Sequence, residues 1–60
     1  MSRTSLNNLA LLYYYQGRYE EAEPLYVQAL QMNQKLMGTE HPDTLTIQRN
    51  LEICRQQMNE

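Results

Sequence analysis

Residues 17–30, GRYEEAEPLYVQAL, place small and aromatic side chains at alternating spacings of three and four. This spacing puts Tyr19, Ala22, Tyr26 and Ala29 in one stripe along a helix. The preceding segment carries a complementary stripe, which consists of Leu6, Leu9, Ala10 and Tyr13. Because small alanines let a facing helix approach while tyrosines fill the space beside them, the two stripes predict an antiparallel helical hairpin. Its turn falls at residues 16–18.

Glycine and proline mark the ends of three predicted helices. Gly17 ends the first segment and Gly38 the second, since glycine is favoured just beyond the C-terminus of a helix. Pro42 begins the third helix. The backbone N–H at the first helical position has no partner within the helix, so a proline, which lacks it, costs nothing there. We therefore predict an all-α fold in a single unit over residues 1–60, with helices at about 4–16, 19–37 and 42–58.

The third predicted helix repeats the pattern of the first. Asn8-Leu9 recurs forty-two positions later as Asn50-Leu51. At the same offset Thr4 matches Thr46, and Leu11 matches Ile53. Internal similarity at a fixed period of 20–50 residues is typical of helical repeat proteins. The third helix therefore looks like the first helix of a following repeat.

These residues resemble the tetratricopeptide repeat. In that family a large residue, Leu, a small residue and Tyr on helix A pack against Tyr, Ala, an aromatic residue and Ala on helix B. The offset of forty-two, the string SLNNLALLY and the loop GTEHPDTLT resemble the longer repeats of kinesin light chains. The resemblance implies one complete repeat followed by a C-terminal capping helix, in a fragment of a right-handed α-solenoid. It also implies a non-catalytic protein-interaction module.

A second stripe on the first helix predicts a binding surface. Thr4, Asn8, Leu11 and Tyr15 share a face that cannot meet the same partner as the packing stripe. The resemblance places this face on the concave groove of the solenoid, where an asparagine amide would offer both a donor and an acceptor to a peptide backbone. The full predicted set of peptide-binding residues is Thr4, Asn7, Asn8, Leu11, Tyr15, Arg49, Asn50, Ile53 and Gln57. Alternatively, Asn8 and Asn50 only satisfy neighbouring carbonyl groups between stacked repeats.

The two ends of the array differ in character. On the third helix the apolar stripe Ile47, Leu51, Cys54 and Met58 is expected to pack on the second helix, while the face that a further helix would meet is polar, as in a capping helix. On the first helix the equivalent positions are Ser5, Leu9, Leu12 and Gln16, on the side that a preceding repeat would cover, and Leu9 and Leu12 are apolar there. We hypothesise that the chain is the C-terminal piece of a longer array and that it self-associates in isolation. The mode would be a two-fold dimer through the first helix or an exchange of the third.

Composition argues against several other classes of protein. The net charge is -2 and the five basic residues are scattered, so we expect no nucleic-acid partner. No apolar run reaches the roughly 20 residues that span a bilayer, and no signal sequence is evident, so we expect a soluble, cytoplasmic protein with no membrane partner.

No combination of residues predicts catalysis or cofactor binding. His41 stands alone in a loop, and the acidic cluster Glu20, Glu21 and Glu23 lacks a histidine at helical spacing. We therefore expect no enzyme activity, no metal and no cofactor. The alternative to a peptide-binding module is a structural unit whose repeat surfaces pair only with copies of themselves.

Overall fold

A computed structural model of the protein describes residues 2–59 and contains three α-helices over that range. They are α1 (Arg3–Tyr15), α2 (Tyr19–Met37) and α3 (Pro42–Met58). The prediction of an all-α fold, with a helical hairpin and a third helix, is confirmed. α1 begins one residue before the expected start, because the Ser2 hydroxyl accepts a hydrogen bond from the backbone N–H of Ser5 and caps the helix there.

The turn between α1 and α2 is fixed by backbone hydrogen bonds. Gly17 has a φ of 78°, a conformation that costs glycine little because it has no Cβ. The N–H of Arg18 donates to the carbonyl of Tyr13 at 2.9 Å, and the N–H of Gly17 donates to that of Tyr14 at 3.0 Å. This pair of bonds is the Schellman arrangement, which satisfies carbonyl groups left open at the end of a helix.

A buried threonine anchors the connection between α2 and α3. The Thr44 hydroxyl, which is fully buried, donates to the carbonyl of Gly38 at 2.8 Å. Gly38 itself has a φ of 92°, which disfavours any residue with a side chain. At the start of α3, His41 Nδ1 accepts a hydrogen bond from the backbone N–H of Asp43 at 3.1 Å. These contacts set the angle at which α3 returns along α2.

The core joins both outer helices to α2. The buried apolar side chains are Leu6, Ala10, Ala22, Tyr26, Ala29, Ile47, Leu51 and Cys54. Tyr26 lies in one cluster with Ala10 of α1 and Leu51 of α3. α1 and α3 each pack extensively on α2 and barely contact one another. The fold therefore leaves a groove between α1 and α3, with α2 beneath it.

The apolar stripe of α3 is buried over three of its four predicted positions. Ile47, Leu51 and Cys54 are buried, whereas Met58 is 38% exposed. Met58 is the last residue of α3 and lies beside Tyr19 and Glu20 at the start of α2, so it meets α2 only at a partly exposed edge. Cys54 is a free cysteine whose Sγ donates to the carbonyl of Tyr19 at 3.4 Å, and burial raises the pKa of its thiol.

The bond from Thr44 gives a stability prediction. Valine has nearly the shape of threonine but no hydroxyl, so Thr44→Val leaves the Gly38 carbonyl without this partner. We expect it to lower the free energy of unfolding by about 1–2 kcal/mol. The measurement is urea unfolding followed by circular dichroism at one fixed protein concentration.

Thr46→Val is the matched control for that substitution. The Thr46 hydroxyl also donates to a backbone carbonyl, that of Pro42 at 3.0 Å, but Thr46 is exposed and water can replace the bond. We expect its effect to be well below that of Thr44→Val. Equal effects of the two substitutions would contradict the assigned role of Thr44.

Candidate functional site

The groove between α1 and α3 has two walls that run in the same direction. Each wall helix is joined to α2 by a short connection and packs against it, so both are antiparallel to α2. Two clefts open along the groove. One lies toward the N-terminal ends of α1 and α3 and the other toward their C-terminal halves.

The cleft toward the C-terminal halves, which we call the aromatic cleft, is mainly apolar. It has a volume of about 170 Å³ and is lined by Leu11, Tyr14, Tyr15, Tyr26, Asn50 and Ile53. Tyr15 is 76% exposed and meets Tyr14 edge to face, with 5.7 Å between the ring centroids. Half-buried Asn50 supplies an amide within this apolar lining. The arrangement suits an apolar side chain next to a group that forms hydrogen bonds.

Tyr26 forms the floor of the aromatic cleft. It projects from α2 and is only 1% exposed, so its ring supports both walls. Burial raises the pKa of its phenol to about 12, because the charged form loses its hydration; the neighbouring Cys54 contributes in the same direction. The phenol is therefore neutral at physiological pH.

The cleft toward the N-terminal ends, which we call the polar cleft, has different chemistry. Its volume is about 190 Å³ and it is lined by Arg3, Thr4, Asn7, Asn33, Asp43, Thr46 and Ile47. The Oδ1 atoms of Asn7 and Asn33 are buried and have no hydrogen-bond partner. Asn33 as a whole is only 1% exposed. A buried polar atom without a partner costs about 1–3 kcal/mol, so both amides lower the stability of the unliganded protein.

The predicted binding residues divide between these clefts and the surface around them. Leu11, Tyr15, Asn50 and Ile53 come together in the aromatic cleft. Thr4 and Asn7 line the polar cleft, where Thr46 occupies the position equivalent to Thr4. Asn8 is exposed and lines neither cleft. Within residues 2–59, neither Asn8 nor Asn50 forms a side-chain hydrogen bond to a neighbouring carbonyl.

Two predicted residues lie away from both clefts. Arg49 lines a shallow depression with Leu45 and Thr46 on the exposed side of α3. It precedes Asn50 by one position, and the helical step of about 100° turns it to the outer face. Gln57 lies beyond the end of the aromatic cleft, beside Arg18 in the connection between α1 and α2.

Sequence reasoning missed Asn33 and Asp43. A signal for Asn33 exists, because it continues the buried stripe of α2 four positions after Ala29. A polar residue in register with an apolar stripe is expected to be buried and in need of a partner. Asp43 lies in the first turn of α3, and no pattern in the sequence indicates that it shares a cleft with Arg3.

The predicted self-association residues lie on another face of α1. Leu12 is 52% exposed and Leu9 is half-buried. Neither lines the clefts of the groove. This face of α1 is therefore apolar and open to solvent at Leu12.

Three of the other candidate reactive side chains have structural contacts. His41 caps α3. Glu21 forms an ion pair with Arg18, and Glu23 forms one with Arg55 at 2.8 Å that links α2 to α3. Across residues 2–59, no three His, Cys, Asp or Glu side chains cluster in a way that could hold a metal ion. In the same part of the chain, no helix has the combined length and apolar character needed to cross a membrane.

Comparison with known proteins gives a family match. A family model described as "Tetratricopeptide repeat" matches residues 2–43. A protein of Hyaloscypha variabilis, named a nucleotide-binding leucine-rich repeat (NLR)-like protein, is 51% identical over 43 residues. That alignment covers 72% of this chain, which spans only 4% of the length of the fungal protein. No solved structure matches the chain.

The buried Tyr26 phenol predicts a loss of stability at alkaline pH. Its folded-state pKa of about 12 exceeds the usual value near 10, so the unfolded chain releases this proton first. The contribution to stability is complete below pH of about 10 and is lost as the pH rises toward 12. We expect the free energy of unfolding of the wild type to fall more steeply over this range than that of Tyr26→Phe, as measured by urea unfolding at several pH values.

Tyr15→Phe is the control, because this ring is exposed in the folded as in the unfolded chain. It should keep the steep wild-type dependence on pH. Cys54 is present in all three proteins and is coupled to Tyr26, so the difference between the wild type and Tyr26→Phe includes that coupling. Parallel pH profiles for the wild type and Tyr26→Phe would contradict the burial of this phenol.

Proposed function

Because this chain belongs to the tetratricopeptide repeat family, we propose that it is a non-catalytic protein-interaction module that holds an extended peptide between α1 and α3. The main support for this proposal is the aromatic cleft. Leu11 of α1 and Ile53 of α3 occupy equivalent positions of the internal repeat and line one cleft above Tyr26. Two equivalent helices thus present matching walls to one ligand.

The chemistry of the groove suits a peptide with an apolar side chain. The exposed ring of Tyr15 and the side chain of Ile53 offer apolar surface that a ligand would cover. Asn50, in the same cleft, can donate to a peptide carbonyl and accept from a peptide N–H. Asn8 presents the same amide at the exposed edge of α1.

The size of the groove limits its affinity. The two clefts have volumes of about 170 and 190 Å³, and their walls come from only two helices. A peptide in this groove covers much less than the roughly 800 Å² per partner of a typical stable interface. We therefore propose dissociation constants in the micromolar range or weaker.

A second proposal concerns the apolar face of α1. With 52% of Leu12 exposed and Leu9 half-buried beside it, this face resembles a surface that another helix covers. A helical repeat array generally needs about three repeats to be stable. We propose that a preceding repeat covers this face in a longer protein and that a second copy covers it when the chain is alone.

The narrower resemblance to kinesin light chain repeats stays a prediction.

The peptide proposal is tested by selecting peptides from a random library against the wild-type chain and mapping their contacts by NMR. We expect the largest shifts of backbone amide signals at Leu11, Asn50 and Ile53. Asn50→Ala should weaken binding about tenfold, because the peptide backbone loses a hydrogen-bond partner. Gln48→Ala, an exposed change on another face of α3, should leave the affinity unchanged. Shifts centred on Leu9 and Leu12 would contradict the proposal.

Sedimentation equilibrium over a wide concentration range tests self-association. The wild type should increase in mean mass with concentration, whereas Leu12→Glu should remain monomeric because association would bury an unpaired charge. Leu45→Glu is the matched control, since Leu45 is 46% exposed on α3 and lies away from this face. It should associate as the wild type does. If the wild type stays monomeric throughout, or if Leu45→Glu abolishes association, the assignment of this surface is wrong.

A further inference from the structure

The polar cleft contains two amide side chains that the protein itself leaves unsatisfied. Asn7 of α1 and Asn33 of α2 each bury an Oδ1 atom that receives no hydrogen bond. Most buried polar atoms in proteins have a partner, so two exceptions lining one cleft call for an explanation. Asn33 is the stronger case, because its whole side chain is only 1% exposed while it lines the cleft.

The charges around the cleft balance one another. Arg3 and Asp43 both line it and carry opposite charges, and within residues 2–59 neither side chain forms an ion pair. The remaining polar lining consists of the hydroxyl groups of Thr4 and Thr46. A charged ligand would meet one charge of its own sign here. A neutral ligand with both a donor and an acceptor fits every polar group in the lining.

We propose that the polar cleft binds an amide group of a peptide, through Asn7 and Asn33. Both oxygens are closed to solvent in the unbound fold, so binding requires a rotation of the asparagine side chain that turns its amide toward the cleft. The N–H of the ligand then donates to that oxygen, and its carbonyl accepts from an asparagine NH₂ group or the Thr4 hydroxyl. This inference rests on the proposed function, and it names a subsite on α2 that the predicted set of residues did not include.

The helix geometry of α2 relates this subsite to the aromatic cleft. Asn33 and Tyr26 belong to the same buried stripe, seven residues apart, which corresponds to about 10 Å along a helix. An extended chain covers that distance in about three residues. The bound peptide therefore places an apolar side chain about three residues from the amide that occupies the polar cleft.

Two small molecules distinguish the possible sources of this amide. N-methylacetamide imitates a main-chain peptide unit, and acetamide imitates the side chain of asparagine or glutamine. In NMR titrations of ¹⁵N-labelled protein, we expect saturable shifts of the side-chain NH₂ signals of Asn7 and Asn33. Tighter binding of N-methylacetamide identifies a main-chain ligand, and tighter binding of acetamide identifies a side-chain ligand. Shifts that rise linearly without saturation, or that are equally large at exposed Asn59, overturn the proposal.

Asn33→Leu tests the role of the buried amide. Leucine is similar in size and removes the unpartnered polar group, so the melting temperature should stay level or rise while small-amide binding falls about tenfold. A lower melting temperature with unchanged binding would show that Asn33 is only structural. Asn7→Leu provides a second variant on another helix, with the same expected loss. Gln34→Leu, an exposed change next to Asn33, should preserve binding.

The peptide selected in the library experiment separates this inference from the proposed function. If the peptide binds in the aromatic cleft and Asn33→Leu leaves its affinity unchanged, the amide subsite is overturned and the peptide-binding function stands. If no peptide binds but the small amides saturate, the peptide-binding function fails while the chemistry assigned to the cleft is supported.

Discussion

The contact of Tyr26 with both neighbouring helices is the interaction on which the rest of the structure depends. Its ring is almost completely buried and belongs to one cluster with Ala10 of α1 and Leu51 of α3. α1 and α3 hardly touch each other, so their relative position is set through α2. The same ring forms the floor of the aromatic cleft, which makes packing and the proposed binding site inseparable at this residue.

The stability of so small a core is limited by its size. A chain of 60 residues buries only about 60% of the surface that it exposes when unfolded. Two unpartnered buried amides and an exposed apolar face on α1 lower the stability of the fold further. The proposed ligand in the groove and the proposed helix on α1 would offset these costs.

The packing of the hairpin follows from sequence more directly than the binding surface does. The stripe of α2 and its counterpart on α1 have the spacing of a buried helix face, and this pattern is sufficient to predict the hairpin. Thr4 and Leu11 could be placed near the groove because the family resemblance puts that face of α1 there, and Asn50 because the internal repeat relates α3 to α1. Arg49 does not lie in the groove, because it is one helical step from Asn50 and adjacent positions on a helix face different directions.

The chemistry of the polar cleft depends on contacts that no local pattern encodes. Arg3, Asn33 and Asp43 come from three different helices and meet only because both turns fix the helix angles. Thr44 and Gly38 set one of those turns, and Gly17 sets the other. Such a meeting depends on tertiary geometry. The position of Asn33 in the buried stripe is nevertheless visible in the sequence, as a polar residue where an apolar one is expected.

The most direct test of this architecture is a nuclear Overhauser measurement on the Tyr26 ring of the ¹³C-labelled wild-type chain, repeated at several protein concentrations. At every concentration the ring should show contacts to the methyl groups of both Ala10 and Leu51. Contacts to only one of the two helices, or contacts that disappear on dilution, would contradict the claim that α2 alone positions both walls of the groove.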